Sequence, residues 1–206
     1  MSGDIETARD DLAYLRAMVS GSGRFEAAAG ELFFWAGTLY GLQCLGHWLD
    51  VAGLIHLPPL AMLALAFGPT VLFIVVLSMV IWKSRKATPA GVASRALNAA
   101  FQGAGLANLV MAFVFAYGAN KAHSMTLWLY HPVVVCMFQG VAWYVAWTIR
   151  REAWIGVVSL GWFVTTISCG MLVDQPGSFL LVLAIALLLL MAIPGYVMMR
   201  AGKTQA

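Results

Sequence analysis

The sequence predicts an all-α protein that crosses a lipid bilayer several times. Two observations carry this: a 206-residue composition that is 62% hydrophobic and only 10% charged, and six long apolar runs separated by short polar joints. Such a composition cannot supply a water-facing surface for a soluble globule. A spanning helix needs about 20 mostly apolar residues at 1.5 Å each, and residues 32–49, 59–82, 97–117, 127–149, 153–173 and 178–199 meet that need. Barrel strands would show short alternating segments, whereas Leu187-Leu188-Leu189-Leu190 lies in unbroken apolar surroundings. The expected layout is an amphipathic helix and hinge over 1–26, a six-helix domain built as hairpins over 27–200, and a short tail over 201–206.

Charge orients the spans. With the N-terminus in the cytoplasm, Arg9, Arg16, Arg24, Lys83, Arg85, Lys86, Arg95, Arg150, Arg151, Arg200 and Lys203 fall inside and Lys121 alone outside, as the excess of basic residues in cytoplasmic loops requires. Both termini are therefore expected in the cytoplasm, in an inner membrane of bacterial character. The first 26 residues are too charged and mixed for a cleavable signal. Basic residues scattered at helix ends also exclude a nucleic-acid partner, which needs a gathered basic face. Trp35, Trp82, Trp147, Trp154 and Tyr196 form the inner aromatic belt, and Trp48, Tyr117, Trp128 and Tyr130 the outer one.

Each element has local causes. In the N-terminal segment Ile5, Ala8, Leu12, Leu15 and Val19 recur at three- and four-residue steps opposite Asp4, Glu6, Arg9, Asp10, Asp11 and Arg16, the pattern of an amphipathic helix. It lies on the membrane surface or docks on protein. Gly21-Ser22-Gly23 is expected to break it from the first span. Pro59 and Pro132 suit first turns, where a missing N–H costs nothing, and Pro176-Gly177-Ser178 reads as a turn followed by an N-cap. Gly68-Pro69 and Pro194-Gly195 lie inside spans two and six and predict kinks unless neighbouring groups restore the lost bonds. Lys83, Arg85, Lys86 and Arg95 around the joint between spans two and three form the densest basic site; it anchors topology and is a candidate for anionic lipid headgroups.

Polar groups within the spans are mostly amides: Gln43, Asn98, Gln102, Asn108 and Gln139. Asn98, Gln102 and Gly105 form a stripe continued by Ala112, which should turn span three toward other helices. The spacing of Gly37 and Gly41 likewise suits close packing. At the outer side His47, His56, His123 and His131 gather with Asp50 and Asp174, and Cys44, Cys136 and Cys169 map to outer halves of their helices. Cys44, His47 and Asp50 stand three apart on one helix and His131 approaches from another, a candidate metal or haem ligand set. The competing reading is ordinary packing and interfacial hydration, because no CxxC or other compact ligand motif is present.

Several chemistries lack their residues. No GxxxxGK[ST], HExxH or GxSxG motif occurs. Ser159 lies toward the inner side, away from every histidine, and span six has no lysine for a retinal-type Schiff base. Glu31 and Asp50 stand at the two ends of span one rather than at mid-membrane, where a proton-coupled carrier holds its ionisable group. The expectation is a non-enzymatic interaction or regulatory component, without a cofactor, whose partners are the bilayer, anionic headgroups, and a second copy or another membrane protein. The competing expectations are a small transporter or channel using the amide face of span three and an outer-side metal or haem binder.

Overall fold

The computed structural model describes the backbone of residues 2–84 and 91–204 and the side chains of residues 27–83 and 93–202. Among the described residues every regular element is helical. In chain order they are α1 (Ser2–Val51), α2 (Pro59–Ser84), α3 (Gly91–Ala122), α4 (Met125–Arg150), α5 (Ala153–Met171), α6 (Pro176–Leu187), a π-turn (Leu188–Ala192) and α7 (Ile193–Thr204). Five segments are long and apolar enough to cross a membrane: Pro59–Lys83, Ala93–Ala122, Met125–Arg150, Ala153–Met171 and Pro176–Gly202. The exposed surface is correspondingly apolar. Leu63, Phe67, Val71 and Val75 on α2 and Val157, Leu160, Val164 and Ile167 on α5 all face outward, as suits a lipid-bilayer environment.

The joints show why the helices start and stop there. Ser124 N-caps α4, its Oγ accepting the Leu127 N–H at 3.3 Å, so α4 begins two residues before the expected span and Pro132 falls inside it. That overturns the first-turn placement of Pro132. Arg151 takes a left-handed conformation (φ 59°) and its N–H closes on the Trp147 carbonyl, ending α4 and letting α5 start after Glu152. Pro176 occupies the first turn of α6 with Gln175 as the flanking residue, so Ser178 is within the helix and is not its cap. Asp50 accepts the Leu57 N–H at 3.1 Å and ties down the α1–α2 joint.

α1 differs most from expectation. Its helix runs without interruption through Gly21-Ser22-Gly23, so the expected hinge is absent from the backbone. At 1.5 Å per residue the 50-residue helix is about 75 Å long, more than twice a hydrocarbon core of about 30 Å. The apolar stripe from Ile5 to Val19 lies outside the described side chains.

Packing follows from small residues. α1 runs antiparallel to the final span: Gly30 meets the backbone of Gly195 and Met199, Gly37 meets Leu187 and Ala192, and Gly41 meets Leu188. The helices approach until main chain touches main chain. Pro194 lacks the N–H that Leu190 would need; instead of a sharp kink the helix widens, with Ile193 N–H bonding the Leu188 carbonyl across a π-turn. On its other side α1 packs on α2, where Leu65 covers Gly46 and Tyr40 meets Phe73 at 5.7 Å. Gln43 Nε2 donates to the Ala66 carbonyl at 2.9 Å, next to the carbonyl that Pro69 leaves without its donor. Gln43→Leu is therefore expected to cost about 1 kcal/mol, read as a lowered melting midpoint in detergent.

The remaining order around the bundle is α6 on α5, α5 on α4 and α4 on α3. Gly140 accommodates Phe163 and Gly156 accommodates Trp147 between α4 and α5, and Ser159 Oγ donates to the Gly140 carbonyl at 3.0 Å. The core lies among α4, α5 and α6, where Trp143, Trp162, Phe179, Cys136 and Cys169 are fully buried. α2 and α3 make no substantial contact with each other among the described residues, so both stand at the periphery.

Candidate functional site

Three groups of polar or reactive side chains emerge, and they divide the sequence-predicted residues differently from the linear pattern. The first is the amide set. Gln43 is used in the α1–α2 contact. Asn108 and Gln139, on the packed helices α3 and α4, each hold a buried side-chain oxygen without a hydrogen-bond partner, while the Asn108 carbonyl lies 3.5 Å from His131 Nε2. Asn98 lines a recess between helices. Gln102 is exposed on the outside of α3, as is Gly105. The five amides therefore do not line one path.

The reason is the face that α3 turns inward. Leu97, Phe101, Ala104, Asn108, Met111, Phe115 and Gly118 are among its covered positions and form a seam of alternating three- and four-residue steps against α4. Gln102 and Gly105 fall beside that seam. The expectation that the Asn98, Gln102 and Gly105 stripe turns toward other helices of the chain is corrected for Gln102 and Gly105, while Asn98 and Ala112 lie on the covered side. The outward face of α3 near its basic end instead presents Ala96, Ala99, Gln102, Gly103 and Gly105. A Cβ placed on Gly103 or Gly105 would meet no atom within 4 Å, in contrast to Gly30, Gly37, Gly41, Gly140 and Gly195.

The second group is the outer donor set, whose members have separate engagements. Asp50 caps the α1–α2 joint, and His131 stacks on Trp128 with ring centroids 5.2 Å apart. His47, also on α1, is partly exposed. Cys44 lies instead near two cysteines from other helices, Cys136 of α4 and Cys169 of α5, within electrostatic reach of them. All three are free thiols. Sequence spacing gave no sign of this convergence, because the residues come from three helices. Among the described residues no group of three or more His, Cys, Asp or Glu side chains is placed to share a metal ion.

The third group was not legible as a site. At the basic end an aromatic cluster forms from Phe33, Phe101, Trp143 and Trp154, with centroid separations of 5.0 Å for Phe33–Phe101, 5.5 Å for both Phe33–Trp143 and Phe101–Trp143, and 6.1 Å for Trp143–Trp154. Beside it lies a cavity of about 70 Å3 in a recess whose open space totals about 560 Å3, with Asn98 and Arg150 in its wall. Trp143 is 1% exposed and its Nε1–H has no partner. Of the basic residues singled out around the α2–α3 joint, Lys83 and Arg95 are exposed; Arg85 and Lys86 lie outside the described residues.

The fold and these groups define a helical protein of the lipid bilayer. No protein-family model matches the chain, and neither the curated proteins nor the solved structures contain a significant match to it.

Proposed function

We propose that this protein is a non-catalytic interaction component of a bacterial inner membrane, spanning it six times with both termini in the cytoplasm, and that it associates with a second copy of itself through α3. The sixth span is α1. Its residues 30–41 pack closely on the Pro176–Gly202 segment, which supports this reading, and Gln43 and His47 lower its hydropathy. The assignment of sides rests on the eleven basic residues at one end against Lys121 at the other.

The observation that carries the association is the sorting of glycines and of exposed side chains. Glycines used inside the subunit are filled by neighbouring atoms, whereas Gly103 and Gly105, two residues apart on α3, are open, as is the single Gly68 on α2. The outward faces of α2 and α5 are made of large apolar side chains, as lipid requires. The face of α3 carries Ala99 and Gly103 four residues apart with Gln102 between them, a surface on which another helix backbone can approach closely. An amide bears both donor and acceptor, so two Gln102 side chains related by a two-fold axis satisfy one another.

Energy transfer between donor- and acceptor-labelled copies in proteoliposomes tests this. The parent should associate above the level of random proximity, Gln102→Leu should weaken association about threefold, and Gly103→Leu should abolish it while leaving the melting of the subunit unchanged. Random-level transfer in the parent, or no change in both variants, overturns the proposal.

A further inference from the structure

α1 outlasts the helices it packs on. Met199 stands at the level of Gly30, and α7 ends five residues later at Thr204. Leu65 covers Gly46, which puts the end of α2 at Ser84 near the level of residue 27. Phe101 meets Phe33, which puts the start of α3 at Gly91 near the level of residue 23. Residues 2–22 therefore extend beyond the described ends of these neighbours as one helix about 31 Å long. Because the helix has no break at Gly21-Ser22-Gly23, it does not turn there to lie on the membrane. It also lacks the Lys- and Arg-rich polar face that holds a helix on an anionic leaflet: between residues 2 and 19 four acidic residues stand against two arginines.

The pattern of this extension is a heptad. Ile5, Leu12 and Val19 fall at a, and Ala8 and Leu15 at d. Arg9 and Arg16 then fall at e, and Asp4 and Asp11 at g. In a parallel pair the g position of one helix is level with the e position of the next heptad on the other, which sets Asp4 against Arg9 and Asp11 against Arg16 of a second copy, twice over by two-fold symmetry. Antiparallel pairing would bring g to g and e to e, like charges together. Two copies inserted the same way in one membrane are parallel by necessity, and Ile and Val at a with Leu at d favour two strands.

We propose that the α1 extensions of two copies pair as a parallel two-stranded coiled coil on the side of the membrane where the basic residues gather. The inference rests on association through α3: a seam of little over two heptads pairs too weakly alone, and the α3 contact supplies the local concentration that closes it. α1 and α3 are neighbours at this end through Phe33 and Phe101, so both extensions leave the bundle near that contact.

Residues 1–26 hold no cysteine, so single cysteines introduced there report on the pairing. In proteoliposomes under mild oxidation Ala8→Cys, at d, should form a disulfide-linked dimer at least about tenfold faster than Ala13→Cys at b or Ala17→Cys at f. Arg9→Glu with Arg16→Glu should bring the Ala8→Cys rate down to that of the outer positions, and adding Asp4→Arg with Asp11→Arg should restore it. Energy transfer between labelled copies is read in the same vesicles. Random-level transfer overturns association through α3 and this pairing with it, whereas transfer above random with equal or absent cross-linking at the three positions overturns the pairing alone. An Ala8→Cys chain that resists both cross-linking and a water-soluble maleimide places the stripe on lipid or on the bundle, and an adduct with a different protein names another partner; each of these also overturns the proposal.

Discussion

Gly195→Leu is expected to prevent assembly of the bundle, with a cost above about 4 kcal/mol. A Cβ at this position meets Phe34 N, Gly30 O and Phe33 C, all main-chain atoms of α1. No side-chain rotation relieves such a contact, so α1 must separate from the final span. Separation would also expose Gly30 and Gly37, whose own contacts are with the backbone of the same span. Even Gly195→Ala should lower the melting midpoint clearly. Gly105→Ala provides the opposite case: its Cβ enters open space and replaces a helical glycine, so the subunit should be unchanged or more stable by up to about 1 kcal/mol. Thermal unfolding followed by size-exclusion chromatography in mild detergent distinguishes these outcomes. Equal effects at positions 195 and 105 would mean that α1 does not pack on the final span as described.

Trp162→Ala is expected to cost about 3 kcal/mol, toward the lower end of the range for deleting a buried tryptophan. The side chain is 0% exposed and lies in the cluster with Trp143, Cys169, Phe179 and Leu183. In a bilayer the separated helices would still surround it with apolar tails, so the loss is mainly one of packing contacts and the void left behind. Trp162→Phe should cost much less. It preserves most of the aromatic contact and removes an Nε1–H that has no hydrogen-bond partner, so two opposing contributions meet. The comparison is made by thermal unfolding of both variants; equal losses would show that the indole donor, rather than volume, is what the core needs.

Much of the architecture follows from hydropathy because the period and length of an apolar run are local properties. The runs over 59–82, 127–149 and 153–173 lie within or close to α2, α4 and α5. What depends on contact between distant residues was less legible. Gly21-Ser22-Gly23 contains residues that weaken a helix by about 1 kcal/mol per glycine, yet the helix continues through them. Pro132 reads as a helix start until Ser124 is seen to cap the chain earlier. Pro194 predicts a disturbance, but its conversion into a π-turn reflects the close fit of Gly195 against α1. The amides of α3 share an approximate stripe in sequence, and only the seam with α4 separates Asn108 from Gln102. Trp143 and Arg150 read as an ordinary aromatic and a topology signal; their common recess exists because α1, α3, α5 and α7 bring the further walls.

The direct measurement of the proposed association is site-specific photocross-linking in native membranes, with a benzophenone side chain placed in turn at Leu106 and Val157. These positions are comparably exposed, at 65% and 67%, but one adjoins the Gln102–Gly103 face and the other lies on the aliphatic face of α5. A discrete protein adduct of twice the chain's mass is expected from Leu106, lost in the Gly103→Leu background, with only lipid adducts from Val157. Lipid adducts alone at Leu106, a discrete adduct with a different protein, or equal dimer formation at both positions would contradict self-association through α3.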